Sequence, residues 1–88
     1  MRLIFSDVAW DQYTYWIEAD PKLFGKLNDL IKECMRSPFK GTGKPEPLKG
    51  DLSGWWSRRL TQDDRLVYRV SGQAPGQQLE IAQCRFHY

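Results

Sequence analysis

The polar and apolar positions of this chain change period several times, and each change marks an element. Arg2–Phe5 ("RLIF") is a short run of β-formers and predicts a strand. Ser6 follows as an N-cap, with Asp7 in the first turn to complement the helix dipole. A helix is expected from there to about Glu18, with Ala9, Tyr13, Trp16 and Ile17 on one face. Asp20-Pro21 is a second start signal, an N-cap aspartate before a proline at the first helical position. Leu23, Phe24, Leu27, Leu30, Ile31, Cys34 and Met35 then recur in steps of three and four, the clearest amphipathic helix in the chain. Ser37-Pro38 ends it, because a residue before proline resists the helical region.

Lys40–Gly50 ("KGTGKPEPLKG") holds three glycines and two prolines and reads as a long loop without regular structure. Three strands are expected after it, at about Gly54–Leu60, Arg65–Ser71 and Leu79–Phe86, joined by "TQDD" and "GQAPGQ". Links this short imply antiparallel hairpins. The expected fold class is α+β: two N-terminal helices packed on one face of a small antiparallel sheet, in a single domain over residues 1–88. Alternation places Leu66, Tyr68 and Val70 toward the helices, and Arg65, Val67 and Arg69 away from them. In the last strand Leu79, Ile81, Gln83, Arg85 and His87 share one face in simple alternation. Apolar residues occupy both faces there, so its sidedness stays open.

Composition narrows the class. The chain has 88 residues and twelve aromatics, four each of Trp, Tyr and Phe, which help so small a core. Cys34 and Cys84 are far apart and form no metal-ligand spacing. With no signal peptide in "MRLIFSDVAW", both read as reduced thiols and the protein as cytoplasmic. No apolar run approaches the ~20 residues of a membrane span. Net charge is only +2, but it is uneven. The stretch 36–69 carries Arg36, Lys40, Lys44, Lys49, Arg58, Arg59, Arg65 and Arg69 against four acidic residues, a balance that favours a polyanion.

Cleaving RNA without a metal needs a base for the 2′-hydroxyl, an acid for the departing 5′-oxygen, and fixed cations for the phosphoryl charge. The sequence offers candidates for all three. Glu46 lies between Pro45 and Pro47; His87 is the single histidine; Arg59 and Arg65 fall on strands expected to be neighbours. Singly, each has an ordinary alternative: a solvated loop glutamate, a surface histidine, surface arginines beside core tryptophans.

Together these residues resemble a known family. "KGTGKPEPLKGDLSGWWSRRLTQDDRLVYRV", the terminal "CRFHY" and the opening "LIFSDVAWDQYTYW" are similar to the YoeB toxins of the RelE superfamily over essentially the whole chain. The resemblance implies a RelE-like, microbial-ribonuclease-like fold and a ribosome-dependent endoribonuclease that cuts mRNA in the ribosomal A site and arrests translation. It implies Glu46 as general base, His87 as general acid, Arg65 stabilising the transition state with Arg59 assisting, and Tyr88 placing the scissile nucleotide. Lys44 and Lys49 match lysines that contact RNA backbone. No cofactor or metal is implied. The implied partners are mRNA on the ribosome, a cognate YefM-like antitoxin, a second copy in a homodimer, and operator DNA only as the toxin–antitoxin complex. A binding module that blocks translation by occupancy is the competing reading. Phe86 departs from the family's tyrosine, Trp55 stands where phenylalanine is familiar and is expected in the core, and the 71–80 turn is longer than usual.

Overall fold

A computed structural model describes residues 1–87. In chain order the elements are β1 (Arg2–Phe5), α1 (Asp7–Ala19), α2 (Pro21–Arg36), β2 (Glu46–Pro47), a 3-10 turn at Gly50–Leu52, β3 (Trp56–Arg59), β4 (Arg65–Ser71) and β5 (Gln78–Gln83). The helix signals in the sequence act as their chemistry requires. Ser6 Oγ accepts from the Ala9 N–H at 3.0 Å and donates to the Ala82 carbonyl at 3.0 Å, so one hydroxyl starts α1 and ties it to β5. Asp20 ends α1 through its N–H to Trp16 O and starts α2 by accepting from the Leu23 N–H at 3.0 Å.

The strands form one sheet in the order β1-β5-β4-β3-β2. Three of the four pairings are antiparallel, but β1 runs parallel to β5. The sheet is therefore mixed rather than wholly antiparallel. The reason is topological: β1 is separated from β5 by nearly the whole chain, and the helices supply the crossover that a parallel pair needs.

Both helices cover one face. Ala9, Trp16, Leu27, Leu30, Ile31 and Cys34 pack against Leu60, Leu66, Tyr68, Leu79, Ile81 and Cys84. A buried aliphatic side chain of this kind contributes about 1.5–3 kcal/mol. Trp16 also donates its indole N–H to the Cys84 carbonyl at 3.0 Å, which satisfies its one polar atom. Ile17, expected on the buried face of α1, is exposed.

Two expectations about strands are corrected. Glu46–Pro47 is not loop but a two-residue edge strand paired with β3, where the prolines cost nothing because an edge has an unpaired side. The last strand ends at Gln83, not near Phe86, and its register slips: Val67 faces Gln83 while Tyr68 faces Ile81. Ala82 is the extra residue of this bulge. Ile81 therefore points into the core while Gln83 lies opposite Val67 on the outer face, which simple alternation would not allow.

Candidate functional site

The face of the sheet away from the helices carries most of the candidate residues. Directly opposed residues of antiparallel strands share a face, and so do residues two apart along a strand. Glu46 opposes Ser57, Ser57 opposes Val67, and Arg59 opposes Arg65. Glu46, Ser57, Arg59, Arg65 and Val67 therefore lie on one face, opposite that of Leu66 and Tyr68. Glu46 is the diagonal neighbour of Arg59, about 7–8 Å away at the backbone. Ser57 and Val67 are buried even on this outer side, whereas Glu46 and Arg59 are exposed and Arg65 is half-buried.

The chain end reaches the same place by a different route. Beyond Gln83 the backbone leaves β5 but stays bonded to the start of β4. The Arg65 N–H donates to the Phe86 carbonyl at 3.0 Å. The Phe86 N–H donates to Asp64 Oδ1 at 2.7 Å, and the other Asp64 oxygen accepts from the Thr61 hydroxyl at 2.7 Å. Consecutive residues of the 61–65 turn thus hold both polar groups of Phe86. Phe86 adopts φ 67°, a left-handed backbone in a non-glycine residue, and His87, the residue after the carbonyl that Arg65 holds, is exposed. Gln83 Nε2 adds a bond to Arg85 O at 3.2 Å. Tyr88 lies outside the described residues.

Arg65 is oriented by its own turn, since Nη1 donates to the carbonyls of Thr61, Gln62 and Asp64 at 2.9–3.1 Å. Lys44 is exposed at φ 53° next to Gly43, whose carbonyl accepts from the Arg59 N–H at 2.7 Å. That bond puts the lysine alongside Arg59. Gly43 is required here: with φ 85°, a Cβ would lie 2.9 Å from the Arg59 carbonyl. Lys49 is exposed before the 3-10 turn, beyond the other end of β2. The structure thus brings Glu46, Arg59, Arg65, Lys44 and the backbone of His87 to one region, with Lys49 at its margin.

Arg58 is not part of this patch. It is 0% exposed and lies on the helix side of the sheet. Its guanidinium donates to Glu33 at 2.5 Å, Tyr68 Oη at 3.1 Å, Thr42 O at 3.1 Å, Lys40 O at 2.9 Å and Ser37 O. Three of these acceptors belong to the segment between α2 and β2, so Arg58 fastens the loop that delivers Lys44 and Glu46. Burial works against the Glu33 charge, but bonds from Thr42 and the Arg58 cation outweigh it and hold the carboxyl below its usual range. Burial pushes Tyr68 up to about 12, which keeps its hydroxyl protonated; it donates to Pro38 O at 2.6 Å.

Trp55, expected in the core, is instead half-buried on the outer face, its ring 4.4 Å from the Arg69 guanidinium. The two residues that sequence reasoning missed are Asp64, read only as turn, and Arg58, read only as surface charge. Nothing in the sequence pairs Asp64 with Phe86. The glutamate at position 33, next in sequence to Cys34 of the α2 stripe, was a faint signal of a buried cation. Among the described residues no cluster of three or more His, Cys, Asp or Glu is placed to hold a metal ion, and no helix is long and apolar enough to cross a membrane.

Known relatives and solved structures match the chain over its full length. The family model for the YoeB-like toxin of bacterial type II toxin–antitoxin systems matches residues 5–88. Toxin YoeB of Escherichia coli K12 is 53% identical over 88 residues, covering all of both chains. Toxin YoeB of Streptomyces coelicolor is 50% identical with the same coverage. Among solved structures, a YoeB/ParE toxin from Agrobacterium tumefaciens superposes with a TM-score of 0.95 at 55% identity, covering 100% of each chain. The toxin in a heterotetrameric YoeB-YefM complex from Staphylococcus aureus superposes at 0.86 and 38% identity, covering 100% of this chain and 98% of that one. The fold is shared more widely, with YafQ of E. coli at 17% identity and a TM-score of 0.77. This chain belongs to the YoeB-like toxins of bacterial type II toxin–antitoxin systems.

Proposed function

We propose that the protein is a metal-independent endoribonuclease that cuts mRNA in the ribosomal A site and so inhibits translation. In this reading Glu46 takes the 2′-hydroxyl proton, and the freed oxygen attacks the adjacent phosphorus. The two guanidiniums of Arg59 and Arg65 hold the phosphoryl oxygens as negative charge accumulates. His87 returns a proton to the departing 5′-oxygen. The products are a 2′,3′-cyclic phosphate and a 5′-hydroxyl. Each proton-transfer group contributes a factor of about 10²–10⁴. Tyr88 would place the scissile nucleotide, and Lys44 and Lys49 would hold the RNA backbone on either side of Glu46.

The observation that carries the reading is positional. Residues 46, 59 and 65 are distant in sequence, yet the register sets them on one outer face, and the chain end is bonded to Arg65 beside them. A surface needed only to bind RNA would not require a carboxylate among the arginines, since it weakens the pull on phosphate.

The implied partners follow the same reading: mRNA on the ribosome in the cytoplasm, a YefM-like antitoxin, a second copy of the chain, and operator DNA through the antitoxin complex. A relative from S. aureus has been solved both as a dimer and with YefM. Acidic residues on the antitoxin would suit the basic stretch 36–69. Primer extension on an mRNA translated in vitro, with and without ribosomes, tests the activity. New 5′ ends should appear only with ribosomes and should vanish with Glu46→Gln and His87→Gln. Equal inhibition of translation by the wild type and the doubly substituted protein, with no cut RNA from either, would establish occupancy instead.

A further inference from the structure

The outer face holds a second arrangement that the cleavage chemistry does not use. Arg69 lies on the same side of β4 as Arg65, four residues on, so about 13 Å separates the two along the strand. Its guanidinium is fixed on two sides. The Trp55 ring sits against it, with the guanidinium carbon 4.4 Å from the ring centroid. Its Nε and Nη2 donate to the two carboxylate oxygens of Glu80 at 3.1 and 3.3 Å. Glu80 is itself held, by Arg69 first and then by a Ser71 bond, and its carboxyl is pulled below the usual range. The Arg69 side chain nonetheless stays 44% exposed.

We propose that Arg69, braced by Trp55 and Glu80, is a stacking platform for one base of single-stranded RNA, at a nucleotide flanking the cleavage site. The inference deepens the nuclease reading above and rests on it for the location of the scissile phosphate. The chemistry selects a base over a phosphate. Two of the nitrogens that would fork a phosphate already face Glu80, and that carboxylate repels a second anion. With Trp55 against one side and Glu80 along the Nε–Nη2 edge, the exposure that remains suits contact with the opposite side of a delocalised cation. Nucleobases stack on such planes, and on arginine in particular. The bracing matters because a free arginine loses rotamer entropy when a base orders it, whereas one already pinned loses little. The 13 Å offset assigns the base to a neighbour of the cut nucleotide rather than to that nucleotide itself.

The test combines two readouts. The first is equilibrium binding of a 12-nucleotide single-stranded RNA, intact or carrying one abasic nucleotide, to the cleavage-inactive Glu46→Gln protein at low salt. The second is ribosome-programmed cleavage by the protein with Glu46 intact, on mRNAs carrying one abasic nucleotide at successive positions beside the cut. Arg69→Met should weaken binding about 5- to 100-fold and raise KM with little change in kcat. Arg69→Lys, which keeps the charge and can keep the Glu80 pair, should behave like Met. The abasic nucleotide at one flanking position should weaken the wild type and leave Arg69→Met no weaker than it already is. Arg69→Lys matching the wild type would overturn the stacking plane in favour of simple charge, and loss that is independent of base removal would overturn the site. Base-dependent binding without any cleavage would keep the platform and sink the nuclease reading. Cleavage without base-dependent loss would do the reverse.

Discussion

Replacing Arg58 with methionine isolates the buried knot that supports the site. The substitution keeps most of the aliphatic volume and removes the cation. It leaves the carbonyls of Ser37, Lys40 and Thr42 without their Arg58 donor and Glu33 with only its two Thr42 bonds, in a region where Arg58 itself is 0% exposed. Swapping both members of a buried ion pair for apolar groups is often neutral, but that escape is closed here, because backbone carbonyls cannot be swapped. Removing the cation alone should cost about 3–5 kcal/mol. At a urea m-value of about 1–1.5 kcal/mol/M for so small a domain, the unfolding midpoint should fall by roughly 2–5 M. Urea denaturation followed by tryptophan fluorescence reads this directly. Activity should fall further than the folded fraction does, because the loop bearing Lys44 and Glu46 loses its fastening. A methionine variant within about 1 kcal/mol of the wild type would refute the reasoning, since it would mean that the three carbonyls find water without cost.

Four further outcomes follow from the same structure. Asp64→Ala frees the Phe86 N–H and should lower cleavage by about 100-fold through misplacement of His87, while Asp64→Asn, which keeps an acceptor oxygen, should restore most of it; single-turnover cleavage measures both. Gly43→Ala puts a Cβ 2.9 Å from the Arg59 carbonyl at a left-handed φ and should lower Tm by several degrees in a thermal melt. Acid should loosen the Arg58 knot: the folded Glu33 carboxyl is more acidic than the unfolded one, so its contribution is complete above about pH 4.5 and is lost as pH falls below that, visible as a declining urea midpoint. Burial raises the thiols of Cys34 and Cys84 to about 11 and about 12, so neither should react with a thiol reagent at pH 8 until denaturant is added, and stability should decline once pH rises past 9.

How much of this was legible depended on the range of the interactions. The bounds of β1, α2 and β4 were readable because caps, prolines and period fix them locally. The outward direction of Arg65 followed from alternation within a single strand, and Glu46 and Arg59 joined it once β2 and β3 were paired. The bulge at Ala82 hid the sidedness of β5, since one extra residue reverses every later position. The strand at Glu46–Pro47 was masked by prolines that an edge tolerates. The parallel pairing of β1, the burial of Arg58 and the hold of Asp64 on Phe86 all join segments far apart in the chain, and no local pattern encodes such a meeting.

The central claim is that one outer face activates a 2′-hydroxyl for attack on its neighbouring phosphate. An mRNA carrying a single 2′-deoxynucleotide on the 5′ side of the cut site, translated in vitro with the wild-type protein, tests this most directly. The account predicts that cleavage disappears at that bond and persists at unmodified sites on the same message. Cleavage at the deoxy position at the normal rate would contradict it.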